Sequence, residues 1–95
     1  MRARRTDSNL TAIAEIARRV GFRVNIRNDD LCDIDAQLGS VTELWECKTY
    51  ELGKRGKPLA ARYTDRQKRL RAEGWVIHTV RTADDVLAAR ERMMR

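Results

Sequence analysis

The side chains best placed to do chemistry lie in one stretch, Cys32 to Lys48 (CDIDAQLGSVTELWECK), which opens near Asp33 and closes on the triplet Glu46-Cys47-Lys48. It reads as two extended segments around Gly39-Ser40. Strand side chains alternate between faces, so Glu46 and Lys48 share one side and Cys47 takes the other. Pairing the segments as a hairpin sets the start of the first beside the end of the second, and Asp33 meets Glu46 across thirteen residues of sequence. Two converging carboxylates suit a hard cation such as Mg²⁺ or Mn²⁺, which takes few protein ligands and completes its shell with water and phosphate oxygens. A neighbouring amine can orient or help deprotonate an attacking water. The chemistry this combination predicts is phosphodiester hydrolysis. Asp35 has the strand parity of Asp33 and is the alternative carboxylate.

The flanking pattern supplies the elements that must hold these groups. Asp7 or Ser8 caps a helix whose apolar stripe is Leu10, Ile13, Ala14, Ala17 and Val20, with Gly21 at its end. Phe22, Val24 and Ile26 alternate with Arg23 and Asn25 as a strand with one buried face. Residues 27–31 are a polar connection, and the hairpin follows. Residues 49–63 contain two Gly and the single Pro and read as a long loop. Thr64 and Gln67 then stand as N-cap and N3 of a capping box, Gly74 closes that helix, and Trp75 to Val80 form a last strand. Thr82 and Asp85 repeat the capping pattern for a C-terminal helix through Val86, Leu87 and Ala88. The predicted order is α-β-β-β-α-β-α.

Ninety-five residues predict a single domain over 1–95 with a small core, which a second copy in a homodimer could help stabilise. No apolar run reaches membrane-spanning length, and the basic arm at residues 1–6 is not a signal peptide. The expectation is a cytoplasmic chain with no membrane partner and two reduced cysteines. The formal charge is +6, but its distribution says more: residues 54–71 hold eight Lys or Arg against one Asp, a local +7. That segment suits a nucleic-acid backbone. Lys54, Arg55, Lys57, Arg62, Arg66 and Lys68 are the expected DNA contacts.

Asp33, the gap to Glu46-x-Lys48, the basic loop, Thr64-x-x-Gln67, Gly74, the apolar strand and the closing run Arg81 to Val86 together resemble the PD-(D/E)XK nuclease superfamily. The likeness is to small phage-type nucleases related to Holliday-junction resolvases and virus-type replication-repair nuclease domains, and covers roughly residues 7–87. It implies an α/β fold with a restriction-endonuclease-like αβββαβ(α) core, a four-stranded mixed sheet flanked by helices. It further implies a Mg²⁺- or Mn²⁺-dependent DNA endonuclease acting in phage replication, repair or recombination. The metal ligands would be Asp33, Glu46 and the backbone carbonyl of Cys47, with Lys48 at the water and Gln67 facing the site. The chain departs from the family's pattern at Cys32, where a Pro is usual.

Each signal has a plainer explanation to set beside this. Asp33, Glu46 and Lys48 could form an ordinary cross-strand charge pair worth about 0 to 1 kcal/mol. Gln67 is already accounted for as a capping residue, and the two roles compete for one side chain. Glu15 falls off the apolar stripe and reads as an exposed helix charge, although an acidic residue on that helix serves some superfamily members. Asn9 reads as a helix-start residue. Cys47, Trp45 and Trp75 read as core, His78 as a strand residue, and two cysteines with one histidine make a poor zinc site. The alternative function is a catalytically silent nucleic-acid-binding or interaction module with the same fold. A third reading is a basic protein that binds an acidic protein partner.

Overall fold

The computed structural model describes residues 8–27, 31–48 and 63–94. The expected basic arm, the cap at Asp7, most of the 49–63 loop, and the DNA contacts Lys54, Arg55, Lys57 and Arg62 lie outside them. In chain order the elements are α1 (Ser8–Arg19), β1 (Arg23–Ile26), β2 (Ile34–Leu38), β3 (Val41–Cys47), α2 (Asp65–Ala72), β4 (Ile77–Val80) and α3 (Ala83–Met93). This is the predicted α-β-β-β-α-β-α order.

The strands form one mixed four-stranded sheet in the order β1-β2-β3-β4. β1, β2 and β3 pair antiparallel as a meander, and β4 joins β3 in parallel after the crossover through α2. Gly39-Ser40 make the turn between β2 and β3, and the register runs from Leu38 opposite Val41 to Ile34 opposite Trp45.

The core lies on the face that carries Trp45 and Cys47. Leu10, Ile13, Ala14 and Ala17 of α1 meet Phe22, Ile34, Ala36, Trp45, Cys47 and Val80, and Val86, Ala89 and Met93 of α3 complete the cluster. Trp45 is fully buried and meets Phe22 edge-on at 5.1 Å between ring centroids, a geometry favoured by the ring quadrupoles. Its indole Nε1 donates to Glu43, and the guanidinium of Arg92 grips the same carboxylate with two bonds of 2.9 and 2.8 Å, pinning α3 to β3. Burial opposes the charge on Glu43. The Arg92 and Trp45 hydrogen bonds and the nearby His78 outweigh it and hold the carboxyl below its usual range. His78 pairs with Glu43 at 3.5 Å, and burial pushes its pKa down. It is a strand residue on the core side, as expected.

Gly21 and Gly74 end α1 and α2 in the same way, with φ of 103° and 104°. The residue after each returns its N–H to a carbonyl five residues back, Phe22 to Ala17 and Trp75 to Leu70. This left-handed cap is one that L side chains adopt only under strain. The second cap corrects the reading of Trp75. Its N–H closes the helix instead of opening a strand, β4 begins only at Ile77, and Trp75 and Val76 stand 49% and 65% exposed. The apolar alternation of β1 likewise fades along the strand: Phe22 is buried, Val24 packs against the core, and Ile26 is exposed.

Both predicted capping boxes are present, Thr64 with Gln67 and Thr82 with Asp85. Each cap is worth about 1 kcal/mol. Among the described residues no helix is long and apolar enough to cross a membrane.

Candidate active site

Cys47 belongs to the α1/α3 core, so alternation along β3 turns Glu46 to the opposite face of the sheet. Asp33 arrives there from the first strand of the hairpin. It precedes β2 by one residue and extends the pairing: its N–H donates to the carbonyl of Trp45 at 3.0 Å, and its own carbonyl accepts from the Arg27 N–H at 2.8 Å. Its Oδ2 accepts the Cys47 N–H at 2.8 Å. Asp33 is thus anchored by its main chain and by one carboxylate oxygen. Lys48 lies on the Glu46 side, with Nζ 3.1 Å from Glu46 Oε1.

The two carboxylates sense one another. Burial is the largest influence on Glu46 and the negative charge of Asp33 the next; both raise its pKa, and the opposing Lys48 and Gln67 interactions do not cancel them. Asp33 and Glu46 are each under 10% exposed. Glu46 Oε2 is buried with no hydrogen-bond partner among the described residues. A buried carboxylate oxygen in that condition is a place for a bound cation or an ordered water. The structure therefore brings Asp33, Glu46 and Lys48 together at the end of β3, as the hairpin reading requires.

Gln67 makes the capping contacts that the sequence predicts. It is buried, its Oε1 accepts the Thr64 N–H at 3.1 Å, and its own N–H donates to Thr64 Oγ1 at 3.1 Å. The same side chain is among the groups that hold the Glu46 pKa down.

Two alternative acids are placed elsewhere. Asp35 sits opposite Leu44 in the register and binds Asn25 Nδ2 at 3.0 Å and Arg27 Nη1 at 3.4 Å. Glu15 is exposed on α1 and pairs with Arg19 one turn on, at 3.2 Å. Arg66 and Lys68 are exposed on α2.

Four further residues complete the surroundings. Asn9 does more than start a helix: its Nδ2 donates to the carbonyls of Lys48 at 2.7 Å and Arg81 at 3.3 Å, clipping α1 to the ends of β3 and β4. Thr79 pairs with Glu46 across the parallel β3-β4 ladder and hydrogen-bonds the Tyr63 hydroxyl. The Tyr63 ring lies 5.9 Å from Lys48 Nζ and 4.1 Å from the guanidinium carbon of Arg71. Only Arg71 left a trace in the sequence, since it stands four residues after Gln67 and so shares its helix face. The other contacts depend on strand pairing.

Among the described residues no group of three or more His, Cys, Asp or Glu gathers around one point. Among those residues Asp33 and Glu46 are the two carboxylates that meet at the end of β3.

The raised pKa of Glu46 has a consequence for stability. The native state holds this proton to higher pH than the unfolded chain, so the contribution to stability falls as pH rises from about 4.5 through the folded-state pKa. The charged carboxylate carries a cost in the fold that the protonated acid does not. Glu46→Gln, which imitates the protonated acid, is expected to raise the thermal midpoint increasingly as pH rises through the Glu46 titration and to leave it little changed at acidic pH. Thermal melts of both proteins across that range check this, and a midpoint lowered at neutral pH would mean that the Lys48 pair is a net stabiliser.

Comparison with protein-family models, with curated proteins and with solved structures found no match for the chain.

Proposed function

We propose that this chain is a Mg²⁺- or Mn²⁺-dependent DNA endonuclease built on a restriction-endonuclease-like core. The observation that carries the reading is the buried Oε2 of Glu46, without a hydrogen-bond partner among the described residues, near the carboxylate of Asp33 and with the Lys48 amine on the other oxygen. Asp33, Glu46 and the Cys47 carbonyl would hold the ion, which when bound supplies positive charge to the phosphoryl oxygens. The chain's own groups do the rest. Lys48 holds the attacking water and stabilises the negative charge that grows as phosphorus becomes pentacoordinate. Gln67, at the capped end of α2, helps orient water or substrate. Lys54, Arg55, Lys57, Arg62, Arg66 and Lys68 grip the DNA backbone.

The test is nicking of supercoiled plasmid, with branched DNA alongside, in Mg²⁺, Mn²⁺ and a chelator. Cleavage is expected only with metal. Binding should also depend on salt: neutralising about four to six phosphates gives a slope of log affinity on log salt of roughly −4 to −5 for duplex DNA. A slope near zero would remove DNA as the partner and leave an acidic protein in its place.

One observation favours the silent module. Asp33 Oδ2 already accepts the Cys47 N–H and Glu46 Oε1 already meets Lys48, so each of the three groups has a partner within the chain. That reading predicts the same salt-sensitive binding with no nicking.

A further inference from the structure

Among the described residues two buried side-chain atoms lack a hydrogen-bond partner: Glu46 Oε2 and Arg71 Nε. Such atoms are few in folded proteins, and each needs an explanation. These two are opposite in character, a carboxylate acceptor and a guanidinium donor, and they belong to one cluster. Lys48 Nζ lies 3.1 Å from Glu46 and 5.9 Å from the centre of the Tyr63 ring, and the same ring lies 4.1 Å from the guanidinium carbon of Arg71. Arg71 donates through Nη2 to the carbonyl of Ile77, on the strand beside β3. Its guanidinium is stacked on Tyr63, whose hydroxyl is held by Thr79 and whose ring also neighbours Lys48. Among the described residues the bond to Ile77 is its one hydrogen bond, of the five a guanidinium can donate, and the Tyr63 ring lies against it.

We infer that Arg71 is a phosphate-binding residue of this site, its fork receiving a phosphodiester of the strand presented to Asp33, Glu46 and Lys48. The identity of the anion rests on the nuclease reading. A paired acceptor and donor of opposite charge complement a cation and phosphate together, where a cation alone would serve only Glu46. A planar fork matches phosphate with two parallel bonds, which a lysine cannot do.

The test measures binding of a short fluorescent DNA duplex in chelator over a salt series. The proteins are wild type, Arg71→Ala, Arg71→Lys and Arg18→Ala, the last removing an exposed charge from α1. Arg71→Ala is expected to weaken binding roughly tenfold or more and to make the salt slope shallower by about 1. Arg18→Ala should stay near wild type. Wild-type affinity and slope in Arg71→Ala would overturn the inference. Should circular dichroism show that Arg71→Ala does not fold, Arg71→Lys decides: it keeps the charge and slope but loses the fork, so binding weakens by a smaller factor, and undiminished affinity overturns the proposal. No divalent ion is present, so the result does not depend on cleavage. Failure of the wild type to nick DNA counts against the nuclease reading, and unchanged binding counts against Arg71.

Discussion

Replacing Glu46 by alanine is expected to lower metal-dependent DNA cleavage by at least about a thousandfold, since the charge stabilisation at stake is several kcal/mol and each 1.36 kcal/mol is a factor of ten. Duplex binding in chelator should survive, and should tighten slightly, because the change removes a negative charge from the proposed phosphate site. Asp33 calls for a different substitution. Alanine there would strip the buried Cys47 N–H of its acceptor, a defect of about 1 to 3 kcal/mol that would confuse folding with catalysis. Asp33→Asn keeps an oxygen for that bond while removing the charge, and should lose cleavage to a similar degree with its fold intact. Undiminished nicking by purified Glu46→Ala would refute the assignment.

The second large effect is at Lys48, where alanine is expected to reduce turnover by about a hundred- to a thousandfold, the usual loss when one charge-stabilising donor is removed. Metal binding should persist, with an altered pH dependence. Burial and Asp33 raise the Glu46 pKa while Lys48 is among the groups that hold it down, so without Lys48 the carboxyl rises further. A proton and a cation compete for Glu46, and the pH needed for Mn²⁺ binding should therefore move upward in Lys48→Ala. Titrating Mn²⁺ binding against pH in both proteins separates this from a general loss of structure, which would abolish binding at every pH.

What could be read in advance was governed by the range of the interactions. The capping boxes at Thr64 and Thr82, the glycine stops at Gly21 and Gly74 and the α1 stripe depend on residues within a few positions of one another, and all are present. The meeting of Asp33 with Glu46 is longer in sequence but follows from a two-residue turn and strand alternation, both local rules. Trp75 was misread because hydrophobicity resembles a strand signal, whereas the backbone there is committed to closing α2. Asn9, Tyr63 and Thr79 were invisible for another reason. Asn9 spans 39 residues to Lys48 and Tyr63 spans 16 to Thr79, and both contacts join elements that only the tertiary fold brings together. Nothing in residue type or spacing announces such pairs.

The fold places a buried carboxylate, with one oxygen unmatched among the described residues, where the hairpin meets β4. Hydrolytic activity requires that this oxygen and Asp33 share a cation. The most direct measurement is the anomalous difference map of crystals soaked in Mn²⁺. The account predicts a single peak within ligand distance of both Asp33 and Glu46, absent in Glu46→Ala crystals treated alike. Saturating Mn²⁺ with no peak between those carboxylates, or a peak held by other residues alone, would contradict it.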